Sequence, residues 1–126
     1  MLGQSYGNLD TSFEFSLTGR TQAPLGTELS LVTTTAYPCA GYRLRSSVQW
    51  SQDTVTVAIL GLHRPSPCVP LSSTAKGRLF LGDLGDTTVV FCITYRGHQD
   101  RYRITFSRGG SPRVTSLRAR FTVFRR

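Results

Sequence analysis

VVFCITYRGHQDRYRITF, the stretch at 89–106, decides the fold of this chain. Apolar and aromatic side chains alternate with smaller or polar ones on both sides of a short polar turn, RGHQD at 96–100. Successive side chains of a strand point to opposite faces, so this period of two predicts two strands that each bury one face. The short turn between them is typical of a β-hairpin. We therefore expect an antiparallel pair that directs Phe91 and Ile93, and opposite them Tyr102 and Ile104, into a core.

Short alternating runs of the same kind precede and follow this hairpin, and turn residues separate them. No apolar period of the helical kind extends over a helix-length segment. The irregular stretch 63–73 contains Pro65, Pro67 and Pro70, which exclude it from a central strand. We interpret it as a surface crossover between two halves of the domain. The sequence thus predicts an all-β protein, an antiparallel β-sandwich of about eight strands.

The length of 126 residues fits one domain. Surface scaling indicates that roughly two-thirds of the surface of the unfolded chain is buried on folding, which suffices for one core. The segment 1–11 is polar and contains Gly7, Asn8 and Asp10, so we expect a flexible N-terminal arm followed by a single β-sandwich domain at 12–126. No apolar run predicts a transmembrane helix, and the first residues lack the features of a signal peptide, so we expect no leader within this chain.

Charge is the clearest functional signal. Lysine and arginine number 15 against seven acidic residues, the net charge is +8, and Lys76 is the only lysine. Two explanations of this excess are equally good: a coding preference for arginine, or a surface that binds anionic partners.

A set of arginines alternates outward from the inward residues of two predicted strands: Arg101, Arg103, Arg118 and Arg120. The last predicted strand directs Leu117, Ala119 and Phe121 inward. If the two strands are neighbours, four guanidinium groups share one solvent face, and their planar donor forks suit sulfate, phosphate and carboxylate groups. The alternative is a solvated face whose charge discourages edge-to-edge aggregation.

Aromatic residues support a second kind of binding. Exposed aromatic rings can stack on sugars, and Tyr37 lies outside the inward phase. Tyr42, Trp50, Tyr95 and Tyr102 are in phase with inward positions, so core packing is the favoured interpretation for them. Trp50 resembles the central buried tryptophan of immunoglobulin-like domains.

The chain has three cysteines, an odd number. Cys39 and Cys68 both lie beside prolines at predicted strand ends, whereas Cys92 lies inside the alternating run. A Cys39–Cys68 disulfide would contribute roughly 3–4 kcal/mol in the chain-entropy model. The alternative is three reduced thiols in the cytosol. We favour the disulfide, and with it an extracytoplasmic location, and expect Cys92 to pack as a small apolar residue.

Catalytic and metal sites have weak support. His98 and Asp100, with Cys92 nearby in sequence, suggest a nucleophile and base, but His98 falls at the expected hairpin tip, where nothing fixes its geometry. The cysteines and histidines lack the paired spacings of zinc sites. Asp83 and Asp86 each follow a glycine, and turn formation is favoured for them over a calcium site. We therefore expect no enzyme activity, no cofactor and no metal.

The stretch LFLGDLGDTTVVFCITYRGHQDRYRITF at 79–106 resembles part of small immunoglobulin-like sandwich domains in secreted proteins and lipoproteins of Bacteroidota. The matching positions are Leu81, Gly82, Leu84, Asp100 and Tyr102. The chain departs from the pattern at 87–89, where it has Thr-Thr-Val instead of Gly-Thr-Tyr. The resemblance implies an immunoglobulin-like scaffold outside the cytoplasm and carries over no functional residue.

These observations lead to one favoured function and two alternatives. We expect a non-enzymatic interaction or structural module, secreted or displayed on the cell surface, that presents a basic sheet face to an anionic polysaccharide or protein surface. One alternative is a carbohydrate-binding domain that uses loop aromatics. The other is a homo-oligomeric extracellular subunit whose N-terminal arm donates a strand to a neighbour. We expect no specific nucleic-acid recognition.

Overall fold

The computed structural model describes residues 11–20, 25–108 and 110–126, and within them it contains nine strands and no helix. The strands are β1 (Phe13–Arg20), β2 (Gly26–Tyr37), β3 (Arg43–Ser51), β4 (Thr54–His63), β5 (Ser73–Gly82), β6 (Thr87–Tyr95), β7 (His98–Phe106), β8 (Arg113–Arg118) and β9 (Thr122–Phe124). The prediction of an all-β protein is confirmed.

The strands form one nearly closed mixed sheet in the order β8-β7-β6-β4-β3-β5-β2-β1-β9. Most neighbours are antiparallel, but three pairs are parallel: β4 with β6, β1 with β9, and β3 with β5. The prediction of an antiparallel arrangement is therefore wrong for these pairs. A parallel pair needs a long connection, and the chain provides one by routing from β4 through β5 before it returns to β6.

The sheet folds over on itself, and the core lies between its two halves. We call β8-β7-β6-β4-β3 the five-stranded half and β5-β2-β1-β9 the four-stranded half. Phe15 on β1 contacts Phe91 and Tyr102 across the core, with ring centroids 5.7 and 4.9 Å apart. Phe13 meets Tyr95 edge to face at 4.9 Å. These buried rings hold the halves together, and truncating one such phenylalanine typically costs about 3–5 kcal/mol.

The 89–106 hairpin forms as expected. Val89 lies opposite Ile104 and Phe91 opposite Tyr102, so the alternating side chains of β6 and β7 share the inner face. The proline-rich crossover is also present, since 64–72 connects β4 in one half with β5 in the other.

The halves are joined on one side by a single parallel bridge between Arg43 on β3 and Lys76 on β5. Gly77 permits this contact, because a Cβ atom at its position would lie 3.0 Å from Leu44 Cβ and 3.2 Å from Leu44 O. On either side of the bridge the two strands diverge into their own halves.

The last alternating run, 117–123, is not one strand, which corrects our expectation. β8 ends at Arg118 and β9 begins at Thr122, so the chain crosses from one half to the other between them. Leu117 and Ala119, expected to point inward, are exposed, whereas Phe121 is buried. The count of nine strands instead of about eight follows from this break.

Trp50 is a second correction, since 43 % of its surface is exposed. It lies opposite Val55, a core residue, so its predicted face is right. It comes one residue before the end of β3, and β3 pairs with β5 only at Arg43. The other half therefore does not cover the indole.

The predicted arm falls almost wholly on residues 1–10, which lie outside the described part of the chain. Its last residue, Thr11, is buried, and its hydroxyl accepts a hydrogen bond from the Thr35 amide (3.4 Å). The folded domain thus includes Thr11.

Candidate functional site

The predicted arginines come together on two neighbouring strands. β7 pairs with β8, and Arg101 lies directly opposite Arg118 in this register, while Arg103 lies opposite Thr115. Arg101 and Arg103 are two residues apart on β7 and so share a face. A register shift beside Tyr102 brings Arg118 opposite Arg101, and the three exposed arginines form one cluster. We call these three residues, together with Arg120, the basic face. Arg120 follows the end of β8 and is also exposed, so the expectation that it continues the strand is wrong.

No acidic side chain in the strands of the five-stranded half points to the outer face that carries the basic face. The strands of the five-stranded half contain six arginines, two each in β3, β7 and β8, and all six are exposed. Their only acidic residue is Asp100, which points inward and is fully buried. Within the described residues, none of the four basic-face guanidinium groups forms an ion pair. The outer surface of this half is therefore positively charged.

A groove with a volume of about 690 Å³ lies at the edge of this surface, where β7 begins and β8 ends. Its lining includes three guanidinium groups, those of Arg101, Arg118 and Arg120, and the polar side chains of His98 and Gln99. Each guanidinium group carries five N–H donors, so the groove can offer many hydrogen bonds to an oxyanion. Asp100 also lines the groove, but its carboxylate is fully buried and accepts hydrogen bonds from within the chain.

Asp100 positions the segment that carries Arg120. The Arg120 amide donates to both carboxylate oxygens at 2.9 Å, and the amides of Phe121 (3.0 Å) and Thr122 (2.9 Å) donate to Oδ2. The Thr122 hydroxyl donates to the same oxygen at 2.6 Å. Successive amides that converge on one anion form an anion-binding nest, here filled by a residue of the chain itself. This cluster turns the chain out of β8 and into β9.

Tyr102 adds to the same anchor, since its hydroxyl lies 2.7 Å from Thr122 Oγ1 and 3.0 Å from Thr122 O. Burial raises the pKa of Tyr102 above its usual 10.0, the charge of Asp100 raises it further, and the hydrogen bond with Thr122 lowers it. The hydroxyl is thus protonated at neutral pH and donates to the backbone.

Sequence reasoning missed the role of Asp100, which we interpreted as a turn residue. The sequence feature that could have revealed this role is the position of Asp100 in the alternating pattern of β7. Asp100 occupies the same inward register as Tyr102 and Ile104, and a carboxylate at an inward position needs buried donors.

The residues of the weak catalytic hypothesis do not come together. Cys92 pairs with Arg101 and belongs to the outer face, whereas His98 pairs with Tyr95 on the inner face. His98 begins β7 and meets Phe121 edge to face at 6.3 Å, so the expectation of an imidazole at the hairpin tip is wrong. Cys92 is buried, as predicted.

Asp83 stabilises its own turn, whereas Asp86 joins this turn to a distant segment. Asp83 Oδ1 accepts a hydrogen bond from the Gly85 amide (3.1 Å), and Asp86 Oδ1 accepts one from the Arg108 amide (2.8 Å). Across residues 11–20, 25–108 and 110–126, no group of three or more His, Cys, Asp or Glu side chains is arranged to hold a metal ion.

Cys39 and Cys68 lie at disulfide distance, with their Cα atoms 5.3 Å apart, which confirms the predicted pairing. The pair ties the middle of the proline-rich crossover to the segment that follows β2, and the bridge between Ala40 and Val69 continues this connection.

Comparisons with protein-family models, curated proteins and solved structures gave no match for this chain. Among the described residues, no helix has the length and apolar character needed to cross a membrane.

Proposed function

We propose that the protein is a non-enzymatic binding module that holds an anionic polysaccharide on its basic face. One observation carries this proposal: Arg101 and Arg118 are register partners, and neither forms an ion pair with a described acidic residue. Like charges placed opposite each other destabilise a sheet. A polyanion that binds there removes this repulsion and gains charge-assisted hydrogen bonds from the guanidinium groups.

As part of this proposal, the protein works in an oxidising compartment outside the cytoplasm. It is supported by the cysteine pair at disulfide distance, since structural disulfides persist mainly in secreted and surface proteins. The two facing halves support a sandwich-like scaffold, whereas the parallel pairs set it apart from the immunoglobulin-like arrangement that the resemblance implies.

Retention on a heparin column tests the proposal. The double variant R101Q/R118Q should elute at clearly lower salt than the wild type, because it loses two charges from the basic face. The matched control is R125Q/R126Q, which loses the same charge at the end of the four-stranded half, beside Glu14. Elution of both double variants at one salt concentration would show that retention depends on net charge alone and would contradict the proposal.

A further inference from the structure

A second cationic surface lies where β3 and β5 part. The bridge between Arg43 and Lys76 joins these strands, and beside it they leave a cleft with a volume of about 600 Å³. We call it the β3–β5 cleft. Its polar lining consists of Tyr42, Arg43, Ser73, Thr74, Lys76 and Arg78. The cleft shares no residue with the basic face.

The three cations of the cleft form no ion pair with any described acidic residue. Arg43 and Lys76 are direct register partners, and Arg78 lies two residues along β5, so all three lie close together. All three are exposed. Opposed like charges are unfavourable in a sheet. An anion in the cleft would remove this cost.

The cleft also has an aromatic wall and hydroxyl groups. Tyr42 stacks on Tyr37, with ring centroids 5.0 Å apart and an angle of 25° between the rings, so its ring is held in place. The hydroxyl of Ser73 lies 3.3 Å from the Thr74 carbonyl oxygen, and both side chains line the cleft. These features match the chemistry of an acidic sugar. The aromatic ring can contact the apolar face of the sugar, the hydroxyl groups can form hydrogen bonds with it, and the cations can bind its acid group.

The floor of the cleft is set by backbone packing. The close approach of Gly77 to Leu44 fixes the distance between β3 and β5 at this point, and the Lys76 amide donates to the Tyr42 carbonyl oxygen at 3.4 Å. The cations therefore project from rigid strands instead of mobile loops, which lowers the entropy lost on binding.

We propose that the β3–β5 cleft binds one acidic sugar residue of an anionic polysaccharide through its carboxylate or sulfate group. This inference rests on the proposed function for the class of partner, but it concerns a different set of residues. The cleft would fix a single sugar, while the basic face holds the chain by charge.

Amide chemical-shift mapping with short oligosaccharides tests the inference. The probes are a hyaluronan tetrasaccharide, which carries uronates without sulfate, a sulfated heparin disaccharide, and neutral cellotetraose. We expect at least one acidic probe to shift the amides of 42–44 and 73–78, while cellotetraose does not. The acidic probe that binds identifies the anion. Equal shifts with cellotetraose, or no shifts in these segments with either acidic probe, would overturn the inference.

Variants separate this inference from the proposed function. In calorimetric titration with the binding oligosaccharide, K76Q/R78Q should raise the Kd at least tenfold, and Y42L should raise it with the charge unchanged. R101Q/R118Q should leave this Kd within twofold of the wild type. If K76Q/R78Q has no effect while R101Q/R118Q weakens heparin retention, the cleft inference fails alone. If the cleft variants lose the oligosaccharide while R101Q/R118Q keeps normal retention, the proposed function of the basic face fails.

Discussion

Arg101 on β7 and Arg118 on β8 lie directly opposite each other, and both side chains are exposed. Reversing one charge should replace a repulsion by an attraction, and such cross-strand charge pairs contribute roughly 0.2–1 kcal/mol. We therefore expect R118E to raise the free energy of unfolding by up to about 1 kcal/mol and to weaken heparin retention. Urea denaturation and salt elution of the same preparation measure the two effects.

The control for this prediction is R113E. Arg113 lies opposite Thr105, so the same charge reversal gains no direct partner there. Its free energy of unfolding should stay within about 0.5 kcal/mol of the wild type. A destabilised R118E would show that the two arginines do not repel each other in the free protein.

Asp100 should be the most sensitive polar residue of the fold. D100A leaves the amides of Arg120, Phe121 and Thr122 and the Thr122 hydroxyl without their acceptor. Unsatisfied buried groups cost about 1–3 kcal/mol each, and the losses overlap, so we expect about 3–5 kcal/mol in total. D86N, which alters one exposed acceptor, should cost less than about 1 kcal/mol. Chemical denaturation measures both, and equal small losses would contradict the anchoring role of Asp100.

Tyr102 gives the protein a pH dependence in the alkaline range. Burial raises the pKa of this hydroxyl, so the folded state keeps it protonated where the unfolded chain ionises it. The stabilisation that Tyr102 contributes is fully present below pH 10.0, the usual pKa of tyrosine. It is lost as the pH rises through the pKa that Tyr102 has in the folded state. At neutral pH, the free energy of unfolding of Y102F should be about 1 kcal/mol lower than that of the wild type. Above pH 10, the free energy of unfolding should fall less steeply with pH in Y102F than in the wild type. Parallel slopes for the two proteins above pH 10 would contradict this assignment.

The Cys39–Cys68 pair should stabilise the domain considerably. Its sequence separation is 29 residues. The chain-entropy model then assigns about 3–4 kcal/mol to the closed loop. In urea denaturation, the free energy of unfolding of C39S/C68S should be lower than that of the wild type by about this much. A reducing agent should lower the free energy of unfolding of the wild type to a similar value and should leave that of the variant unchanged. Alkylation of the unfolded, unreduced protein should label Cys92 alone. Labelling of all three cysteines would contradict the disulfide.

The β6–β7 hairpin could be predicted from sequence because its information is local. Strict alternation gives the two faces, so Phe91 and Tyr102 both lie on the inner face as expected. The turn is shorter than expected, because β7 already begins at His98, and the exact register was therefore not predicted. Alternation predicted that Arg101 and Arg118 share the outer face if their strands are neighbours. It did not predict that they face each other, because a register shift beside Tyr102 brings Arg118 opposite Arg101.

The remaining features depend on contacts between distant segments. Alternation placed Trp50 on the correct face, but it carries no information on whether the opposite half extends over the end of β3. The run 117–123 alternates well, yet hydrogen bonds to Asp100 break it between β8 and β9. The β3–β5 cleft arises from a single bridge between strands far apart in sequence, and no local pattern marks it.

The salt dependence of heparin binding tests the central claim, that the basic face binds a polyanion, most directly. By analogy with duplex DNA, four phosphate-like contacts give a slope of roughly −3.6 in a plot of log K against log salt concentration. The wild-type slope should be at least this steep, because the β3–β5 cleft adds further cations, and R101Q/R118Q should reduce its magnitude by about two. R125Q/R126Q should keep the wild-type slope. An unchanged slope in R101Q/R118Q, or an equal reduction in both variants, would contradict the account.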